Sequence, residues 1–180
     1  MKDASAHASL EPTVSAPHLA AAINVAASMD IREKERVCDR IYAAQPNLLY
    51  SVLAQRALGV SMPTIDILLN ILIVLHLAIE VSGQVLVVVS EADQERELQR
   101  LTAAIRFTEG LGSDALAQSI KQTTPYRREK FLFAYVVGIL QRAGLTDLRN
   151  ETSKYPILVA LNLINCIATA RRIQPSTETA

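Results

Sequence analysis

The feature that most constrains this fold is a nearly uncharged stretch, residues 63–90, in which only Asp66 and Glu80 carry charge. The uncharged run between these two acids is 13 residues long, which gives about 20 Å of helix. A bilayer core needs about 20 apolar residues, and an acid near the middle of a longer span costs about 2.5–3.5 kcal/mol. Lys and Arg are absent from both immediate flanks. We therefore expect the central buried helix of a soluble protein.

The composition favours helices over sheets. Half of the residues are apolar, yet Trp is absent and only three Phe and five Tyr occur, so the core must consist of Leu, Ile, Val and Ala. A chain of 180 residues suffices for one core. The sequence therefore predicts an all-α, single-domain bundle of seven to eight helices, with residues 17–173 as the helical domain. Residues 1–16 and 174–180 are polar and contain proline, and we expect a disordered arm and tail there.

Local signals mark the helix ends. Asp30 and Glu33 have the spacing of a capping box, and Gly59 follows an apolar run as a C′ residue does. The predicted helices begin near Pro17, Asp30, Pro46, Pro63, Ser90, Ser113, Thr124 and Pro156, and the last one ends at Arg172. The valine-rich segment 84–90 has β propensity, but no second strand is evident. It is therefore predicted to be an extended connector or a helix end.

Two segments resemble one another within the chain. Glu33–Ala44 aligns without gaps with Asp93–Ala104, and five residues recur at identical positions. One hypothesis is a duplication, residues 31–83 and 91–172, that forms two three-helix units around the buried apolar helix. Chance matching among helix-forming residues explains the pattern equally well. Duplication would make Asn70 and Asn162 equivalent.

The duplication hypothesis predicts a buried polar network. A buried Asn amide needs hydrogen-bond partners, because an unsatisfied one costs about 1–3 kcal/mol. We expect Asn70 and Asn162 to lie close together in the core, with Asn165 or His76 completing the network.

Four arginines recur in the two aligned segments and are the candidate contacts to a protein partner: Arg36, Arg40, Arg96 and Arg100. As one basic stripe they could bind carboxylates or phosphates. Oppositely charged residues three positions away also explain them as parts of exposed helix faces, with each pair contributing about 0.2–0.5 kcal/mol.

Residues 116–131 have the pattern of a helix, a short turn and a second helix. The first turn of that second helix carries Tyr126, Arg127 and Arg128, although cations oppose the helix dipole there. These three residues are the candidate nucleic-acid contacts of a DNA-binding regulator. The 18 basic and 18 acidic residues cancel, and this neutrality argues against such a role.

Signatures of catalysis are missing. The sequence contains no phosphate-binding loop, dinucleotide fingerprint or nucleophile elbow. His76 and Glu80 share a helical face, but we interpret them as a structural pair. Cys38 and Cys166 lack metal-ligand spacing and are predicted to be small buried hydrophobes. We assign no catalytic, cofactor-binding or metal-binding residues.

The predicted function is therefore contact with another protein. We expect a cytoplasmic, non-enzymatic helical protein that acts as a homodimer or as a complex subunit. The motivation is an apolar content beyond what the charged faces balance. The alternatives are the DNA-binding regulator, a bundle that binds a small molecule in an apolar pocket near His76, and a membrane-associated protein. Nucleic-acid and membrane partners are not expected.

Overall fold

The computed structural model describes residues 12–107, 128–146 and 151–173. Within these ranges the chain is all-α, which confirms the predicted fold class. The helices are α1 (Ala16–Ser28), α2 (Ile31–Ala44), α3 (Pro46–Leu53), a 3-10 helix (Ala54–Leu58), α4 (Met62–Val81), α5 (Glu91–Phe107), α6 (Lys130–Arg142) and α7 (Glu151–Thr169). Two short strands, β1 (Val85–Leu86) and β2 (Arg172–Ile173), pair antiparallel. The predicted helix at Ser113 and the start at Thr124 lie outside the described residues.

Several helix ends are fixed by local chemistry. The Asp30 carboxylate accepts from the Glu33 N–H, and the Glu33 carboxylate accepts from the Asp30 N–H, both at 2.8 Å. This capping box confirms the predicted start of α2. Pro46 is the first residue of α3, where its missing N–H costs nothing. Gly59 ends the 3-10 helix at φ +82°, a backbone conformation that side chains disfavour.

Helix α4 is the centre of the structure. It packs against α1, α2, α3, α6 and α7. Among the described helices it alone is long and apolar enough to cross a bilayer, and half of its most apolar window is buried inside the protein. Its buried residues are Ile65, Leu68, Ile71, Leu72, Ile73, Val74, Leu75, Leu77, Ala78 and Ile79. The chain itself therefore covers much of the apolar surface that the sequence places in residues 63–81.

Two residues of the valine-rich segment, Val85 and Leu86, form a strand, so the prediction of an extended connector or a helix end was wrong for these two residues. Val85 pairs with Ile173, and Leu86 pairs with Arg172. The partner was missed because α7 ends at Thr169, three residues before the predicted end. A strand of two residues has no sequence pattern of its own, and only its pairing makes it visible.

Two other boundaries differ from the predictions. Helix α7 starts at Glu151 and contains Pro156, which was predicted to open it. A proline inside a helix removes one backbone hydrogen bond, and its ring crowds the carbonyl four residues earlier. Helix α7 nevertheless continues through Pro156 and packs against α4, α5 and α6. At the other terminus, Val14 was assigned to a disordered arm, but its side chain is fully buried.

The two aligned segments make corresponding contacts. Lys34 of α2 donates to the Asn70 carboxamide of α4 at 3.0 Å. At the aligned position of α5, the backbone carbonyl of Gln94 accepts from the Asn162 carboxamide of α7 at 3.2 Å. The same faces of α2 and α5 are buried, at the aligned pairs Val37 with Glu97 and Ile41 with Leu101. These correspondences agree with a duplication, which stays a prediction.

Replacing Leu75 by Ala should destabilise the protein by about 2–5 kcal/mol, because α4 would lose a fully buried side chain and gain a cavity. The matched control is Leu58→Ala, at a leucine that is exposed at the end of the 3-10 helix, where we expect a change below about 1 kcal/mol. Urea unfolding of both variants gives the comparison. Equal losses would show that α4 is not enclosed as described.

Candidate functional site

The small sheet separates an inner face from an outer one. Leu86 packs against the core, and the paired Arg172 points towards buried Glu129. On the outer face, Val85, Val87 and Ile173 are exposed at 51%, 41% and 54%, because paired residues and residues two apart share a face. We call these three side chains the valine face. Residues 85–87 are all apolar in the sequence, so no alternation of polar and apolar residues indicates which face is exposed.

Gln45 holds β1 and the following chain in place. Its buried side chain donates to the carbonyls of Leu86 at 3.3 Å and Val87 at 3.2 Å, and it accepts from the Val89 N–H at 2.9 Å. Asn47 donates to the Val89 carbonyl at 2.8 Å. The Gln45 carboxamide thus occupies the edge of this segment where another strand would pair. On the β1 side of the sheet, a partner would therefore meet the side chains of the valine face and not a free backbone edge.

A buried ion pair holds β2. Arg172 donates to the fully buried Glu129 carboxylate at 3.2 Å. The same carboxylate accepts from the backbone N–H groups of Thr13 and Val14, each at 3.3 Å, which attaches the start of the described chain to α6. Burial, together with nearby Arg128, lowers the pKa of Arg172. Glu129 was not singled out in the sequence, because one Glu in a charged segment carries no signal of burial.

A cavity of about 360 Å³ opens beside the sheet, between the segment 87–89, the first turns of α5 and the end of α7. Its lining combines apolar residues with polar and charged ones: Val87, Val88, Val89, Cys166 and Ala170 with Asp93, Arg96, Thr169 and Arg171. The cavity therefore presents both aliphatic and charged side chains. It does not include His76, near which the sequence analysis placed an apolar pocket.

Charged residues that line the cavity form hydrogen bonds and ion pairs. Asp93 accepts from the Ser90 N–H and hydroxyl and from Arg96, and these bonds lower its pKa to about 2. Glu97 of the same helix accepts a hydrogen bond from Arg100 at 2.8 Å and is only 1% exposed. The alternative interpretation, that the arginines and the acids three positions away lie on exposed helix faces, is therefore wrong for Glu97, because α5 turns that position towards α7.

Buried amides line the contact between α5 and α7. The Oδ1 atoms of Asn162 and Asn165 and the Nε2 atom of Gln94 have no hydrogen-bond partner among the described residues. Asn162 also donates to the Gln94 carbonyl. Asn70, in contrast, is exposed and donates to the Asp66 carbonyl at 2.8 Å. Asn70 therefore does not join a buried network with Asn162, because its face of α4 meets Lys34 near the solvent.

The candidate arginines do not form one free stripe in this structure. Helix α2 packs against α3 and α4, whereas α5 packs against α7. Arg40 makes a bidentate pair with Glu80, at 3.2 and 3.1 Å. Arg96 and Arg100 are engaged by acids of their own helix. Arg36 is exposed, without a carboxylate within 4 Å among the described residues.

The candidate nucleic-acid contacts are only partly described. Tyr126 and Arg127 lie outside the described residues. Arg128 donates to the Ala168 carbonyl of α7 at 3.2 Å, and its Nε atom is buried. Its guanidinium therefore caps the C-terminal end of α7, and this position does not suit contact with a phosphate.

His76 belongs to a charged cluster on α4. Its Nε2 atom lies 3.1 Å from the Glu80 carboxylate, which also binds Arg40. Burial lowers the pKa of His76 in spite of the nearby carboxylate, and Arg40 lowers it further. Burial thus favours the neutral form of the imidazole, and we interpret the cluster as a structural link between α2 and α4.

The two cysteines are free thiols. Cys166 is buried as predicted, and burial near Glu97 and Asp93 raises its pKa to about 12. Cys38 is half-buried and packs against the core. Among the residues that the structure describes, no group of three His, Cys, Asp or Glu side chains is placed to hold a metal ion.

Comparison with protein-family models, with curated proteins and with solved structures gives no match. The valine face, the cavity and the charges around them are therefore the features from which a function can be inferred.

Replacing Gln45 by Met should cost about 2–4 kcal/mol of stability. Methionine keeps the volume but leaves the Val89 N–H and the two carbonyls without their partner. The control is Gln99→Met on the exposed face of α5, with an expected change within about 0.5 kcal/mol. Urea unfolding measures both, and a neutral Gln45→Met would refute the role of this side chain.

His76 should make the protein less stable in mild acid. Its pKa in the folded protein is below the unfolded value, which is about 6.5, so the unfolded chain binds the proton more readily. Its contribution is complete above the unfolded pKa and is lost as the pH falls through the folded pKa. The loss of unfolding free energy from pH 7.5 to 5.5 should therefore be smaller in His76→Gln than in the unaltered chain. Identical losses would contradict this assignment.

Proposed function

We propose that this protein acts through protein–protein contact and that the valine face is the contact surface, with a second copy of the chain as its partner. The observation that carries the proposal is the exposure of three β-branched side chains, Val85, Val87 and Ile173, on one face of a sheet whose other face is packed inward. Exposed apolar clusters of this kind mark interaction sites.

The surroundings of the valine face support the same proposal. Val81 and Val88, close to the sheet in sequence, are also exposed, at 45% and 52%. The edge of β1 is covered by Gln45, so that strand addition is disfavoured and side-chain packing remains. The hydrogen bonds of Gln45 and the ion pair of Glu129 hold the valine face in one arrangement before a partner binds. This lowers the entropic cost of association.

A second copy of the chain suits this face for two reasons. An isologous contact needs a patch that complements itself, and a small flat aliphatic face does so. The formal charge of zero means that no net repulsion opposes the approach of two copies. Two such patches are smaller than a standard interface of about 1,600 Å², so we propose a reversible contact with a Kd of about 1 µM or weaker.

The proposal includes a cytoplasmic location. Its support is chemical, because Cys38 and Cys166 are free thiols, and thiols persist in reducing compartments. DNA binding has less support, since Arg128 contacts the end of α7.

The double variant Val85→Lys/Ile173→Lys should abolish self-association, because two charges would face two charges across the contact. Light scattering with sedimentation over a wide concentration range measures the average mass. The unaltered chain should rise towards twice the monomer mass as the concentration increases, and the variant should stay monomeric.

The matched control for this experiment is Val25→Lys/Ile31→Lys, at exposed aliphatic positions in the region of α1 and α2. It should associate as the unaltered chain does. A strictly monomeric unaltered chain, or equal effects of the two double variants, would overturn the proposal.

A further inference from the structure

The cavity beside the sheet has the volume and the lining of a ligand site. Its volume of about 360 Å³ lies within the range of small-molecule sites. Its apolar lining includes the buried Cys166. A molecule that fills it would therefore cover aliphatic surface and also meet charged groups.

The charges at this cavity leave one cation uncompensated. Arg96 is bonded to Asp93, and Arg100 is bonded to Glu97. Arg171 lines the cavity as well, but its guanidinium has no carboxylate within 4 Å among the described residues. Only the backbone carbonyl of Arg171 is engaged, by the Val87 N–H at 2.9 Å. The lining thus favours a ligand with a negative charge at one end.

We infer that this cavity binds a small aliphatic monocarboxylate. Its carboxylate would contact Arg171, and its hydrocarbon chain would pack against Val87, Val88 and Val89. An arginine fork matches the geometry of a carboxylate. Each buried methylene group of the aliphatic chain adds affinity, so a chain of about eight carbons combines both contributions.

This inference goes beyond the proposed contact function and does not depend on it. The cavity and the valine face share Val87, and Arg171 adjoins both because its carbonyl accepts from the Val87 N–H. A monomeric chain could nevertheless bind the carboxylate equally well. Self-association is measured by mass, whereas ligand binding is measured at the cavity, so that failure of one leaves the other testable.

The test is a titration of the full chain with sodium octanoate, followed by amide and methyl NMR shifts. Saturable shifts are expected at Val87–Val89, Thr169 and Arg171. Arg171→Gln should weaken octanoate binding about tenfold, since hydrogen bonds to charged groups contribute about 1.5–3 kcal/mol and this arginine is exposed. Arg142→Gln, at an exposed arginine at the end of α6, should leave binding unchanged.

The matched ligand control is 1-octanol, which has the same chain length without the charge. Octanol should bind the unaltered chain more weakly than octanoate does. The affinity for octanol should be the same in Arg171→Gln as in the unaltered chain. The inference is overturned if octanoate produces no saturable shifts at the cavity, if octanol binds as tightly as octanoate, or if Arg171→Gln binds octanoate with unaltered affinity.

Discussion

The structure depends on the enclosure of α4. A helix that is apolar on nearly every side cannot rest on a protein surface, because each exposed aliphatic side chain forgoes about 1.5–3 kcal/mol of burial. Five helices from both halves of the chain pack around α4, and its ten buried residues form the middle of the core. The polar positions of α4 lie where neighbours approach with charge, as Glu80 does with Arg40. The same apolar composition that permits a membrane span is thus used as an interior.

The positions of the valine face and the cavity depend on two buried polar side chains at the edge of this core, Gln45 and Glu129. Gln45, at the junction of α2 and α3, fixes the chain that leaves α4, and Glu129, at the start of α6, fixes the chain that leaves α7. Both chains then meet as β1 and β2. Their pairing turns the valine face outward and leaves the cavity between the connector, α5 and α7. Loss of either side chain would leave buried hydrogen-bonding groups without a partner.

Sequence reasoning succeeded where structure is local and failed where it depends on distant partners. The capping box at Asp30, the helix start at Pro46 and the left-handed Gly59 are set by a few adjacent residues. The β1–β2 pair joins residues almost ninety positions apart and carries no repeated pattern. Glu97 is buried in spite of its charge, because α5 turns it towards α7. Asn70 was expected in the core but is exposed, because its face of α4 meets Lys34 near the solvent. Arg171 became a candidate only when the cavity placed it beside the valines.

The most direct test of the account is amide hydrogen exchange of α4 in a detergent-free preparation. Enclosure by five helices predicts that residues 68–78 exchange among the slowest in the protein, with protection close to the free energy of global unfolding. The contrary result would be exchange in α4 faster than in the solvent-facing helix α5, or slow exchange of α4 only when detergent or lipid is added.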